Sequence, residues 1–250
     1  MKTSNKFLLI AAVFTLLSLG VYDLFLNAAY RSGNYADPNN DYVTLNFKDF
    51  DKLDLPSSTA ANVKIIQGPF SVRIDENTKS YVQVRQEGSH LLINANYDGN
   101  YQTTSNQYIL LISCPKLSEV NANAGYRANN TNVTDTIVRE DWNMRQVLID
   151  GFSQDSLYIS QDYGSTVVLA NNHIRAISAV IGKSRGSVSY LIIKDNNEFS
   201  IADLDIQNNS KLFLDNAKIQ NLNYQLGDNA KLIVTGKAKN LLNNLKPEQK

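Results

Sequence analysis

In the second half of the chain, short apolar alternations recur at a spacing of roughly 20 to 25 residues, the interval at which self-similarity signals stacked repeats. Thr166-Val167-Val168-Leu169-Ala170-Asn171-Asn172 is echoed by Tyr190-Leu191-Ile192-Ile193-Lys194-Asp195-Asn196-Asn197. The pattern returns in Lys211-Leu212-Phe213-Leu214-Asp215-Asn216 and, truncated, in Lys231-Leu232-Ile233-Val234-Thr235-Gly236. Each unit is a β-prone run, an Asn, Asp or Gly corner, and a second alternation such as Ile174-Arg175-Ala176-Ile177 or Ile219-Gln220-Asn221-Leu222. One such unit carries too few apolar residues to bury a face alone, so it is stabilised by stacking on its neighbours. The spacing predicts two apolar columns, Val167, Leu191, Leu212 and Leu232, and Leu169, Ile193, Leu214 and Val234. Corner amides at Asn171-Asn172, Asn196-Asn197 and Asn216 are placed to form hydrogen-bonded ladders.

The first half has the same texture with less regularity. Residues 47–55 alternate apolar and charged side chains with period two, which predicts a half-buried strand. Residues 63–74 read as two strands bent at Gln67-Gly68-Pro69. Tyr81-Val82-Gln83-Val84-Arg85 and His90-Leu91-Leu92-Ile93-Asn94 pair around Gln86-Glu87-Gly88. Residues 97–107 and 139–145 read as loops, the second carrying Trp142. The expected fold is all-β, a single-stranded β-helix (β-solenoid) over 45–242 with a charged tail at 243–250, preceded by one N-terminal transmembrane helix.

That helix is written in the first residues. Lys2 and Lys6 precede a long apolar run from Phe7 to Leu26, about the 20 residues needed to cross a bilayer. Asp23 falls near the far interface, where a charge costs less. Tyr22 and Tyr30 sit where interfacial aromatics belong, and the lysines predict a cytoplasmic N-terminus. Residues 1–6 are then a cytoplasmic stub, 7–26 a signal-anchor and 27–44 a polar stalk. The alternative is a signal peptide cut near Asn27-Ala28-Ala29. Either way the rest of the chain is exported, and with no cysteine nearby a lipoprotein anchor is excluded.

Composition narrows the function. With 24 basic and 24 acidic residues the formal charge is zero. A nucleic-acid surface, which gains affinity by releasing counterions, is not expected. The single cysteine, Cys114, closes no intramolecular disulfide and ends an apolar run, so it reads as an inert core thiol. His90 and His173 have no metal-type partner at close spacing, and no metal or other cofactor is expected.

Candidate chemistry is sparse. Asp203 and Asp205 are two apart in an alternating run, so both carboxylates share the outer face of a strand. Such a pair can bind Ca²⁺ or divide acid and base roles, or simply be solvated. Trp142, Tyr126 and Tyr163 are candidates for a sugar-stacking platform. Asp150, Asp155, Asp162, Asp195, Asp215 and Asp228 lie at turns and corners, where Asp serves the backbone. No Gly-rich phosphate loop, nucleophile elbow or Cys/His cluster occurs, and no enzymatic activity is expected.

Two segments resemble a known family. Val63-Lys64-Ile65-Ile66-Gln67-Gly68-Pro69-Phe70-Ser71-Val72-Arg73-Ile74 and Cys114-Pro115-Lys116-Leu117-Ser118-Glu119-Val120 are similar to the bacterial head GIN domain of the auto-transporter adhesin type, found in Bacteroidetes-type envelopes. The resemblance spans about 47–242 and departs at Asn121-Ala122-Asn123-Ala124-Gly125, where Asn replaces the family's Gly and Ser. It implies a β-helix at the bacterial cell envelope, with an envelope protein or polysaccharide as partner. The expected function is a membrane-anchored, adhesin-like binding or structural module. Alternatives are a carbohydrate-binding or carbohydrate-active β-helix, and a periplasmic sensory domain acting through a partner protein.

Overall fold

The computed structural model describes residues 3–32, 41–97, 107–138 and 145–242. The chain divides into two units, residues 1–42 and 43–250. The first contains α1 (Thr3–Ser32), a 30-residue helix. Its apolar side chains are exposed throughout, and an 18-residue window within residues 3–31 has a mean hydropathy of 2.1. At 1.5 Å per residue it is about 45 Å long, more than a hydrocarbon core requires. Thr15 Oγ1 donates to the Ala11 carbonyl at 2.9 Å and Ser18 Oγ to that of Phe14 at 2.8 Å. Both hydroxyls are thus satisfied within the helix, as a lipid environment demands.

The second unit is built of strands. In chain order the first ten are β1 (Tyr42–Leu45), β2 (Lys52–Leu55), β3 (Val63–Gln67), β4 (Ser71–Asp75), β5 (Val82–Glu87), β6 (His90–Tyr97), β7 (Leu110–Cys114), β8 (Glu119–Ala122), β9 (Gly125–Ala128) and β10 (Thr131–Thr134). Then follow β11 (Val147–Asp150), β12 (Ser153–Gln161), β13 (Thr166–Ala170), β14 (His173–Ile181), β15 (Tyr190–Ile193), β16 (Glu198–Ile206), β17 (Lys211–Asp215), β18 (Lys218–Leu226) and β19 (Lys231–Thr235). A four-residue helix, α2 (Lys239–Leu242), closes the described chain.

These strands form two mixed sheets, which corrects the expectation of a single-stranded β-helix. One sheet has the order β1-β4-β7-β3-β11-β13-β15-β17-β19, the other β10-β9-β6-β2-β8-β12-β14-β16-β18 with β5 beside β6. The pairs β4–β7, β5–β6 and β9–β10 are antiparallel. The physical reason lies in the first half, where tight corners turn the chain back beside earlier strands. Gly88 (φ 60), and Asn129 and Asn130 (φ 48 and 60), supply the left-handed backbone of two such hairpins. Residues 47–55 give only the short β2, because Asp49 at φ 59 interrupts the extended run.

From β11 onward strands alternate between the sheets, each parallel to the equivalent strand one repeat earlier. The apolar columns form in register: Val167↔Leu191↔Leu212↔Leu232 and Leu169↔Ile193↔Leu214↔Val234. They continue through Val147 and Ile149 to Val63 and Ile65, and on to Leu110 and Ile112. Successive residues point to opposite faces of a strand, so only alternate positions need be apolar.

The corners stack too. Gly151, Asn171, Asn196, Asn216 and Gly236 are all left-handed, with φ of 79, 55, 60, 54 and 58. This is the conformation that Gly and Asn adopt most readily. The amide ladder forms across two corners, Asn172 to Asn197 and Asn196 to Asn171. At the third corner Asn216 instead contacts Asp215 and the Lys237 backbone, and the position after it is Ala217.

Candidate functional site

The long strands β12, β14, β16 and β18 share an interruption near their starts. Pairing between β14 and β16 runs His173↔Glu198 and Ile174↔Phe199, then resumes at Ala176↔Ile201. The register is the same on both sides of the gap, but burial shifts there: Ile174 and Ile177 are both buried, three apart instead of two, as are Phe199 and Ala202. The interruption leaves Arg175, Ser200 and Gln220 outside the ladder at equivalent positions. Together with Lys237, Asn240 and Leu241 these strand starts line an open groove of about 1010 Å³.

One cross-strand column gives the groove its charge pattern. His173, Glu198 and Lys218 are in register on three adjacent strands. Glu198 Oε2 lies 3.7 Å from His173 Nε2, and its Oε1 accepts a hydrogen bond from Lys218 Nζ. That hydrogen bond and the Lys218 charge, with a smaller contribution from His173, hold the Glu198 carboxyl below its usual 4.5. Arg175 and Asp155 make a second, exposed pair at 3.5 Å. The floor beneath is apolar and closed: Ile174 and Phe199 are buried, so no aromatic face is offered. A groove of this kind presents charges of both signs and amides to a polar ligand, with the His173 imidazole as its exposed ring.

The residues singled out in the sequence lie elsewhere. Asp203 and Asp205 do share the outer face of β16, with Ala202, Leu204 and Ile206 buried behind. Neither lines the groove. Asp203 Oδ1 accepts from Asn223 Nδ2 at 2.7 Å, and Asp205 Oδ2 from Gln207 Nε2 at 2.6 Å. No group of three or more His, Cys, Asp or Glu positioned for a metal occurs among the described residues. Tyr126 on β9 packs edge-on against Tyr97, ring centroids 5.9 Å apart, as part of the core margin. Tyr163 is a corner residue with φ 52, and its carbonyl accepts from Ser189 Oγ at 2.7 Å. Trp142 lies outside the described residues.

What sequence reasoning missed is the column His173, Glu198, Lys218. Its members are 25 and 20 residues apart, and only the pairing register unites them. The signal available was the shared slip in alternation, apolar at 174 and 177, 199 and 202, and 219 and 222.

No family model and no curated protein matches the chain. Solved structures similar to it include a "putative adhesin" from Parabacteroides distasonis, at 12% identity and a TM-score of 0.46 over 77% of this chain and 74% of that one. A "putative adhesin" from Bacteroides fragilis matches at 13% identity and 0.46, over 79% and 99%. A "putative lipid binding protein" from Parabacteroides distasonis matches at 11% and 0.41, over 78% and 94%.

Proposed function

We propose that this chain is a non-catalytic binding or structural module of a bacterial cell envelope, held at a membrane by α1. The observation that carries the reading is α1 itself. It is exposed from end to end, apolar over the span from Phe7 to Leu26 apart from Asp23, and satisfies its own Thr15 and Ser18 hydroxyls. In water such a surface is a liability; in lipid it is the lowest-energy arrangement. Lys6 at one end and Arg31 at the other flank the apolar run. The orientation that agrees with the lysines puts the N-terminus in the cytoplasm and the β-unit outside.

Charge balance supports binding without strong electrostatic steering, and the groove beside Glu198 is the face on which a polar envelope component would rest. The adhesin-named structures agree with this reading and carry none of its weight. Membrane fractionation with N-terminal sequencing tests it. The expected result is a full-length chain that stays in the membrane pellet through alkaline carbonate washing. A soluble chain beginning near Ala29 would overturn the anchor.

A further inference from the structure

Among the described residues, β18 ends its sheet and pairs on one side only, with β16. Its inward side chains are less covered than those they stack on. Ala202, Leu204 and Ile206 are buried, while Leu222 and Tyr224 are half-buried and Leu226 is 41% exposed. The short α2 does not close this edge, since it reaches the groove beside Ala217, Lys218 and Ile219 at the far end of the strand.

An unpaired strand edge is a template for another strand, and edges are commonly protected by charge or proline. Residues 219–227, Ile-Gln-Asn-Leu-Asn-Tyr-Gln-Leu-Gly, contain neither. The outer side chains are also held flat: Asn221 Nδ2 donates to the Ser200 carbonyl at 3.2 Å and Asn223 Nδ2 to Asp203 Oδ1 at 2.7 Å. From Asn221 to Leu226 this edge alternates strictly and carries no charge.

We propose that β18 pairs antiparallel with β18 of a second copy of this chain, about a two-fold axis at Tyr224. That register sets Leu222 opposite Leu226 of the second copy and Tyr224 opposite Tyr224, all on the core side. Asn223 faces Gln225 on the outer side. The span that pairs in this register, 222–226, holds no charged residue on either copy, so no like charges meet. A contact that maps a patch onto itself closes as a dimer, with the β18 edge of both copies used. The inference stands apart from the proposed function, since it needs neither the anchor nor the groove.

The full-length chain in detergent micelles tests it, because Cys114 is buried and an introduced cysteine is the one reactive thiol. Tyr224→Cys should form an inter-chain disulfide under mild oxidation, residues on the axis being within the reach that a disulfide needs. Asn223→Cys and Gln225→Cys, each offset from its own copy, should not. Asn223→Lys combined with Gln225→Lys places lysines face to face and should weaken the dimer about tenfold, as read by light scattering of the solubilised chain. A monomer at all concentrations overturns the proposal, including one whose β18 amides resist hydrogen exchange because the chain covers its own edge. So does a dimer that the double-lysine variant leaves intact, which would place the contact in α1 or on another face.

Discussion

Asn172 Nδ2 donates to Asn197 Oδ1 at 3.0 Å, joining two buried amides 25 residues apart on neighbouring turns of the chain. The same Oδ1 accepts the Asn172 backbone N–H, and Asn197 Nδ2 donates to the carbonyls of Leu169 and Lys194. Asn172 in turn bonds the Ile149 carbonyl and the Phe152 N–H. Asn197→Ala strands several of these partners without access to water. Each buried polar group left unpaired costs about 1–3 kcal/mol, so a loss of about 3 kcal/mol is expected from the urea midpoint. A loss below about 1 kcal/mol would mean that the ladder adjusts around the gap.

The glycine corners separate backbone strain from contact. Gly182 and Gly186 have nearly equal φ, +76 and +82. A Cβ on Gly186 meets nothing within 4 Å, whereas one on Gly182 would lie 2.1 Å from Ser210 Oγ and 2.7 Å from the Gln207 carbonyl. Gly186→Ala therefore carries the left-handed penalty alone, about 1 kcal/mol. Gly182→Ala should cost at least about 2 kcal/mol more, because a backbone carbonyl must also move. Gly182→Ala combined with Ser210→Ala should recover only part of that difference.

How far these features could be read beforehand depends on the range of the interaction that creates them. The column Val167, Leu191, Leu212, Leu232 was legible because period-two burial and a repeated corner fix both face and register locally. The shared outer face of Asp203 and Asp205 was legible for the same reason. The antiparallel pairs of the first half were not, since β7 sits between β3 and β4 although it follows them by some 40 residues in the sequence. That order is settled by non-local packing, to which a strand's own alternation is blind. The Glu198 column failed to show for a related reason: each member is an ordinary exposed residue until the register places His173 and Lys218 on either side of it.

Cys114 offers a probe of the core. Burial, reinforced by the negative charge of Asp51, pushes its thiol from the usual 9.0 up to about 12, against a weaker lowering by the Lys116 N–H. The folded thiol stays protonated where the unfolded one ionises. This contribution to stability is therefore complete below pH 9 and falls as pH rises from 9 towards 12. In native buffer at pH 8 a disulfide reagent should react on the order of a thousandfold or more slower than with the urea-unfolded chain. Equal rates would place the thiol at an accessible surface.

Asp162 shows the opposite balance at the corner that follows β12. Burial pushes its carboxyl up, but Ser184 Oγ and N–H and the Tyr163 N–H hydrogen-bond to it and, with the Ser187 hydroxyl nearby, bring it below the usual 3.8. Since the folded value lies beneath the unfolded one, the stabilisation is present above pH 3.8 and disappears as pH falls through the lowered value. Ser184→Ala removes the largest of the lowering interactions while leaving burial in place. The Asp162 carboxyl should then titrate at higher pH by carbon-detected NMR, and the variant should lose stability chiefly near neutrality. Below the native titration the two proteins should converge, because the carboxyl is protonated in both and the charged hydrogen bond no longer distinguishes them. A stability gap that is constant across the acid limb would assign the Ser184 hydroxyl a packing role, independent of the Asp162 charge.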